Sequence, residues 1–540
     1  MGALGGSTSA RGWSPWSVGR RYRTVSADVS RGRADAQIDW LRQYAATRIN
    51  SRLIDERRCI PPYVALDFAN EGLFGLLIEE RFGGQAMHMA DIARVLEQLA
   101  AVDLGLATWV LTSVFPGTRP VAQWATEEFK QEWLPQLAAG RVYGAYAQTE
   151  PDAGSDFTSI GTTATPARGG GWRVTGHKHW IGNGSWAGVV SVISQLADPD
   201  GGSGGIGAFA IPMSAGGIRP GAEHLSMGLR GMVQTGLHLD GVPVNAVNVL
   251  GEEGQGAVVA VDSMTMTRFA IAAASLGAIK RVLRLAHRFG TRRKVAGGTL
   301  AGHGNVLATL GELAACAQAG EAIVYWLAAQ LDDGHPVEME PMVAAKVLLT
   351  EWLGRAVDSL VQLYGGRGYD EENLAAQLYR DARVYRIFEG ASEALVDFLG
   401  ARVTTQGERV GDLLRDAGAA DVGDRLGVAV AELKARPASP LGDHAAKDAR
   451  KALAGKAFTW AFAVAAVRAR GGGQQWALEF VEQRFEQALA ACGTELTIAS
   501  PEELEHIVAG YADRIGDVEQ SLPGARIGLD SLLRVRAHQG

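Results

Sequence analysis

Apolar residues recur at three- and four-residue spacing from about Asp35 to Arg141, which predicts helices. Asp39-Trp-Leu-Arg-Gln-Tyr44 and Ala93–Val102 carry that pattern, and Pro61-Pro62 and Gly83-Gly84 interrupt it. From Val142 to about Val249 the texture changes. Short β-rich runs (Gly171-Trp-Arg-Val-Thr175, Gly188–Ser194, Ile206–Ile211) alternate with Gly, Pro and Asp turns, which predicts a small antiparallel sheet. From Val258 to Val403 long helical periodicity returns without a strand signal. The plan is α+β: a helical domain over 36–141, a β domain over 142–257 and a second helical domain over 258–403. Residues 404–540 read as a further helical section hinged at Ala435–Gly442. Within it the apolar run Ala457–Val467 is flanked by Lys447, Arg450, Lys451 and Lys456 before it and by Arg468 and Arg470 after it. That run is far shorter than the ~20 residues that span a bilayer. It reads as a core helix with solvated ends or, alternatively, as peripheral membrane or partner contact through 443–470.

Composition narrows the class. The chain has 540 residues, with 52 basic against 59 acidic and a net charge of −7, a balance that argues against nucleic acid as a partner. Three scattered cysteines (Cys59, Cys316, Cys492) exclude a disulfide scaffold or a cysteine zinc site. Residues 1–35 are rich in Arg, Ser and Gly and lack the apolar core of a secretory signal, so they read as a disordered leader of a cytoplasmic protein. Nine of the 52 basic residues are lysine, a bias that fits a GC-rich bacterial genome rather than a targeting signal.

The densest motif is Tyr146-Ala-Gln-Thr-Glu-Pro-Asp-Ala-Gly-Ser-Asp156. Gly154 and Ser155 offer backbone N–H groups and a hydroxyl to a phosphate, and Thr149 offers a hydroxyl at a strand end; alone, this is equally a polar turn. It is followed by Gly176-His-Lys-His-Trp-Ile-Gly-Asn-Gly184, then by Met227-Gly-Leu-Arg-Gly231 and Val247-Asn-Val-Leu-Gly251. Gln362-Leu-Tyr-Gly-Gly-Arg-Gly368 and Tyr379-Arg-Asp-Ala-Arg-Val-Tyr-Arg-Ile-Phe-Glu-Gly390 complete the series. In this order, across a helix–sheet–helix plan, residues 36–402 resemble the acyl-CoA dehydrogenase family of flavoenzymes.

The resemblance implies an N-terminal helical domain, a middle β domain and a C-terminal four-helix bundle, with an extra helical region after it. It implies FAD as cofactor, with Tyr146, Gln148 and Thr149 along the flavin ring, Gly154 and Ser155 near the pyrophosphate, and Trp180, Ile181 and Gly182 over one face. Ala391 and Glu393 follow on the same cofactor. Arg293, His303, Gln362 and Gly366 would reach the cofactor of a neighbouring subunit, so a homodimer or homotetramer is implied. Glu389 would be the catalytic base, removing the α-proton of an acyl-CoA or carrier-bound thioester while the β-hydride passes to flavin N5. Phe388, Gly390 and Arg268 would contact the substrate, with Arg268 toward its phosphopantetheine arm. Burial is what makes a carboxylate basic enough for this work. Electron-transfer flavoprotein or oxygen would take the electrons.

Several positions depart from the family pattern. Gly182 stands where Thr or Ser usually donates a hydroxyl toward the flavin, a bond worth ~0.5–1.5 kcal/mol. Gln148 replaces an aliphatic residue, Val295 and Ala296 replace Thr-Phe, and Ala391 and Glu393 replace Thr and Gln. These changes motivate an alternative, an oxygen-using oxidase or monooxygenase of natural-product biosynthesis, such as one building an epoxyketone by decarboxylation and desaturation. A non-enzymatic flavoprotein is the third reading, against which Glu389 and the negative charge argue. The extension resembles in architecture the long-chain, membrane-associated members, which implies a long or lipophilic acyl group, or docking to a membrane or a second subunit. His177 and His179 share a strand face without further ligands nearby, so no metal is expected. Gly365-Gly-Arg-Gly368 and Gly251-Glu-Glu-Gly-Gln-Gly256 lack the context of a dinucleotide fold, and no nucleophile elbow is evident.

Overall fold

The computed structural model describes residues 17–18, 23–197, 203–335, 337–436, 443–471, 474–494 and 499–516. The N-terminal domain begins earlier than the sequence pattern predicts. Its first helix is Ala27–Arg48, with the Ser26 side chain accepting the Val29 N–H at its start. Ser30, Ala34, Ile38, Leu41 and Tyr44 line its buried stripe, and the Ser30 hydroxyl donates to Asp91 at 2.7 Å. Residues 27–35 are therefore part of the helical domain and not of a disordered leader. Ser17 and Val18 also pair, antiparallel to Glu338 and Val337. The rest of that expectation, on 1–16 and 19–22, lies outside the described residues.

The middle domain is a seven-stranded sheet, and it is mixed rather than antiparallel. Tyr143–Ala147 and Thr163–Pro166 both run parallel to Ala187–Ala197, while Trp172–Gly182, Ser203–Pro212, Ile218–Glu223 and Gln234–Val244 make antiparallel pairs. The exception follows from connectivity. Forty residues separate Ala147 from Ala187, a crossover long enough for parallel pairing, whereas hairpin-length links force antiparallel neighbours.

The two domains touch backbone to backbone. A Cβ on Gly117 or Gly144 would run into the other's carbonyl, so both positions need glycine. Gly117 lies in a π-turn, Ser113–Thr118, whose Ser113 hydroxyl accepts from the buried Asn183 amide at 2.9 Å. Arg119 adds a buried bidentate pair to Asp262, at 2.9 and 2.8 Å, joining the first domain to the helix Gly256–Arg292.

That 37-residue helix is the axis of the second helical domain. Every residue from Thr265 to Ile279 is buried, as in a helix surrounded on all sides. Gly304–Asp332 and Met339–Tyr364 pack on it, and Ser392–Thr405 packs in turn on Met339–Tyr364, with Leu374–Arg383 leading toward it.

In the extension, Asp443–Arg470 crosses Ser392–Thr405 at small residues: a Cβ on Gly400 would meet the Lys451 carbonyl, and one on Gly455 the Val396 carbonyl. Ala457–Val467 is buried throughout except for half-buried Trp460. The core-helix reading of 443–470 is the one the fold bears out, because its apolar residues already face protein. Among the described residues two helices, Gly256–Arg292 and Ala445–Arg470, are long and apolar enough to cross a membrane, and both are mostly buried here. Among the described residues of the extension, an apolar face is left open on Pro501–Ile515, where Leu504, Ile507, Val508, Tyr511 and Ile515 are exposed.

Candidate active site

Leu374–Arg383 gives way to a short turn over Val384–Arg386, and the chain then crosses to Ser392–Thr405 through Ile387–Ala391. Two consecutive residues of that crossing are left-handed, Glu389 at φ +53° and Gly390 at φ +98°. Glycine adopts such angles freely, but for a glutamate they cost energy, of order 1–3 kcal/mol, and persist only where surroundings enforce them. The surroundings here are two buried cations. Arg268 Nε donates to the Glu389 carbonyl at 3.1 Å, and Lys346 Nζ donates to the Gly390 carbonyl at 2.7 Å. Behind the turn, Tyr385 is fully buried with its hydroxyl 2.8 Å from that of Thr108.

Glu389 is half-buried as a residue, and its carboxyl lies deep in the molecule. Burial raises its pKa above the ordinary carboxylate range, against the opposing charges of Arg268 and Lys346. Tyr146 stands within the electrostatic reach of both Glu389 and Arg268, its own pKa pushed well above the ordinary value by burial and then by the Glu389 charge. Its hydroxyl donates to Gln148 Oε1 at 2.6 Å, and Gln148 Nε2 points at Met264 Sδ, 3.6 Å away. Tyr146, Gln148, Arg268 and Glu389 thus form one connected group.

The opposite wall is the sheet. Lys178 is wholly buried, and its Nζ donates to the Gln148 carbonyl at 3.0 Å and to Glu150 Oε1 at 2.7 Å. Glu150 also accepts the N–H groups of Gly161 and Thr162, at 2.6 and 3.0 Å. Burial works to raise Glu150, but Lys178 and these donors hold it below its ordinary value. The strand register breaks between Lys178 and Ile181, and Trp180 sits at that bulge at φ +54° with 57% of its surface exposed. Thr149 is tied to the same strand by the His179 N–H, which donates to its carbonyl at 2.8 Å. Ile181 is buried beneath, and Gly154 and Ser155 are exposed at the mouth of the loop.

Gly182 has a local explanation. A Cβ there would come within 2.7 Å of Met232 Cε and 3.1 Å of Thr112 Cγ2. The Met232 thioether occupies the room that a threonine side chain would need.

The remaining predicted residues separate into two places. Phe388, Gly390 and Ala391 flank Glu389, and Glu393 is exposed on the next helix turn, beside a cavity of about 900 Å³ that Trp352, Trp460 and Phe480 also line. Glu389 does not line that cavity. Arg293, His303, Gln362 and Gly366 gather at the far end of the bundle, where the Phe289 and Tyr364 rings meet at a tilt with centroids 4.4 Å apart. Arg293 follows Arg268 by 25 residues of helix, about 37 Å. Within one chain these four residues do not reach Glu389.

Three functional-site residues escaped the sequence reading. Lys346 lies in the apolar run Pro341–Thr350 and Lys178 in His177-Lys-His179, and a buried lysine needs a partner. Those isolated charges in apolar settings were the available signal. Asp381, in Tyr379–Gly390, accepts the Leu229 N–H at 2.6 Å, and burial followed by Asp103 pushes it up to about 8. It fixes left-handed Leu229 (φ +51°), and with Gly228 close against the Arg380 carbonyl this seats Met227–Gly231 on the helix Leu374–Arg383. His177 stacks on His238 at 4.3 Å and His179 lies 4.4 Å from both His224 and Trp180. Among the described residues no group of three or more metal-ligating side chains is arranged around a common point.

Sequence profiles of three domains match in order: acyl-CoA dehydrogenase, N-terminal domain over 34–141, middle domain over 145–242 and C-terminal domain over 254–404. The chain is 31% identical over 329 residues to the mitochondrial very long-chain specific acyl-CoA dehydrogenase of Rattus norvegicus, an alignment covering 60% of this chain and 50% of that one. It spans about half the length of the curated relatives it first matches. Butyryl-CoA dehydrogenase from Megasphaera elsdenii superposes with a TM-score of 0.65 at 27% identity, over 71% of this chain and all of that one. An acyl-CoA dehydrogenase of Bacillus anthracis, solved with FAD, shares the fold over 92% of both chains with a TM-score of 0.71 at 20% identity, so the likeness continues into the extension. With three consecutive domain profiles matched in order along 34–404, the chain belongs to the acyl-CoA dehydrogenase family.

Proposed function

We propose that this chain is a cytoplasmic FAD-dependent dehydrogenase of acyl thioesters, with Glu389 as the base that removes the α-proton. The observation carrying this reading is a deep carboxylate with raised pKa, on a left-handed turn braced by Arg268 and Lys346 and facing Tyr146.

The residues present suit FAD. Exposed Trp180 offers a flat aromatic surface at a bulge, and Tyr146, Gln148 and Thr149 offer the adjoining edge. Ala391 follows the Glu389 turn, and the cofactor contact that the resemblance gives to Glu393 has no support from its place beside the other cavity. Arg293, His303, Gln362 and exposed Gly366 bring a cation, an imidazole, an amide and an accessible backbone, a donor set that suits a diphosphate. Their distance from Glu389 fits service to a neighbouring subunit, in a homodimer or homotetramer. When bound, FAD supplies the hydride acceptor for the β-carbon.

The chain's own residues do the rest. Glu389 takes the α-proton, and its raised pKa makes it a stronger base than a solvated carboxylate. Its own N–H belongs to a fixed turn and is available to the thioester carbonyl, which acidifies the α-carbon. Arg268 and Lys346 hold the turn, and Phe388 and Gly390 shape the floor. Arg268 serves the base turn through its Nε, in addition to the phosphopantetheine contact that the family resemblance implies for it.

Electrons pass to an electron-transfer flavoprotein on this reading. Gly182, backed by Met232, and polar Gln148 favour a second reading with oxygen as acceptor. The test is anaerobic addition of acyl-CoA and acyl-carrier thioesters to the flavin-loaded protein while following the flavin absorbance. Bleaching by one class names the substrate, and reoxidation by air against a flavoprotein acceptor separates the two readings. No bleaching by any thioester overturns the proposal.

A further inference from the structure

Lys346 is the most unusual charged group in the second helical domain. It sits about two turns into Met339–Tyr364 with no accessible surface, among Val343, Ala344, Val347 and Leu349. Burying an ammonium costs several kcal/mol unless something repays it. Among the described residues no carboxylate lies within ion-pair distance; its hydrogen bond runs to the Gly390 carbonyl at 2.7 Å. A carbonyl is a weak counterpart for a buried cation, so a structural role alone would be served as well by a neutral donor. What distinguishes this carbonyl is its place. It belongs to the residue after Glu389, in the pair of left-handed residues, and a Cβ at Gly390 would press on Leu395 at 2.7 Å.

We propose that Lys346 is a positioning residue for the base: its ammonium fixes the Gly390 carbonyl, locks the left-handed turn that aims Glu389, and places one positive charge behind the carboxylate. This rests on Glu389 being the base. The groups facing Lys346 agree with it. Arg268 repels it, and Glu389, Glu351 and Glu393 attract it. Glu351 is committed elsewhere, to Arg386 at 2.9 Å and to the Ser392 hydroxyl at 2.7 Å, and Glu393 is exposed. Burial and then Arg268 bring the Lys346 ammonium down to about 7, so its charge responds to pH near neutrality. The neutral amine would still donate to the carbonyl. Position therefore survives deprotonation, while the charge behind Glu389 does not.

The sign follows directly. A cation near a carboxylate lowers its pKa, so removing that cation raises it. The test compares wild type with Lys346→Met, which loses donor and charge, and Lys346→Gln, which keeps a donor without charge. Two readouts are needed. The first is the infrared carboxyl band abolished by Glu389→Gln, titrated against pH in flavin-loaded protein without substrate. Its midpoint should rise by about one to two pH units in both variants. The second is the rate of anaerobic flavin reduction, with its acid limb moved upward by the same amount. Lys346→Met should lose about 10²-fold at neutral pH and Lys346→Gln less, because part of the hold on Gly390 remains. Retained flavin and a retained melting transition establish that the variants fold, and Lys346→Gln serves if Lys346→Met does not.

An unmoved midpoint in both variants overturns the proposal whatever the rates do. If no thioester reduces the flavin of the wild type, the function proposed above fails, while the substrate-free midpoint still decides the role of Lys346.

Discussion

Each wall of the site is fastened by a fully buried lysine, but the two are fastened differently. On the sheet, Lys178 is closed into an ion pair with Glu150, itself saturated by two backbone N–H groups, and the Gln148 carbonyl completes the set. On the helical side, Lys346 meets only a carbonyl, as does Arg268. The first arrangement cancels its charge locally, which suits a scaffold. The second leaves net positive charge beside the carboxylate of Glu389, which suits a group whose ionisation matters. The difference teaches that a buried cation is better judged by what it leaves unneutralised than by how deeply it lies.

The largest expected effect removes the base. Glu389→Gln should lower flavin reduction by about 10²–10⁴-fold or more with little change in melting temperature, measured by anaerobic stopped flow. Next comes the pair on the sheet. Lys178→Met leaves Glu150 buried without its cation and should cost about 3–5 kcal/mol in denaturant unfolding. Lys346→Met, which strands no carboxylate, should cost distinctly less, and equal losses would erase the contrast between the walls. Lys178→Met with Glu150→Gln should recover part of the stability.

The pH dependence separates the walls further. Glu150 is held below its unfolded value, so its stabilisation is present above the ordinary carboxylate range and is lost as pH falls through the lower folded value. Lys346 is lowered to about 7, so between about 7 and its unfolded value near 10 the unfolded chain binds the extra proton and stability should rise with pH. Unfolding at several pH values should show that rise shrink in Lys346→Met, the part that remains belonging to Lys178, which burial lowers to about 8.

A smaller effect concerns the filled space at Gly182. Gly182→Thr should cost about 1–3 kcal/mol through overpacking on Met232 and Thr112, and adding Met232→Ala should relieve most of it. The smallest effect belongs to the periphery. Polar substitution of Leu504, Ile507 and Val508 should leave flavin reduction unchanged, because that face lies on a helix separate from both walls. Sedimentation with liposomes would reveal any lipid contact that it makes.

The motifs made much of this legible. The Phe388-Glu389-Gly390 turn and the Trp180 strand were marked in sequence because they spend residues on chemistry that packing does not require. The walls behind them were not, since Lys178 and Lys346 act on main-chain carbonyls whose positions exist only in three dimensions. Gly182 looked like a missing hydroxyl because Met232, fifty residues later, is invisible at that point of the chain. The parallel strands were missed because hydrophobic alternation is the same in either direction, and the helix at 27–35 because its buried face is made partly of Ser30 and Ala34.

The most direct measurement of the central claim is single-turnover flavin reduction by a reactive acyl thioester, compared with its α-deuterated form, across pH in wild type and Glu389→Gln. The account predicts a primary isotope effect in the wild type, an acid limb above the ordinary glutamate range, and loss of the reaction in Glu389→Gln with thioester binding kept. Reduction that persists in Glu389→Gln at a comparable rate would contradict it.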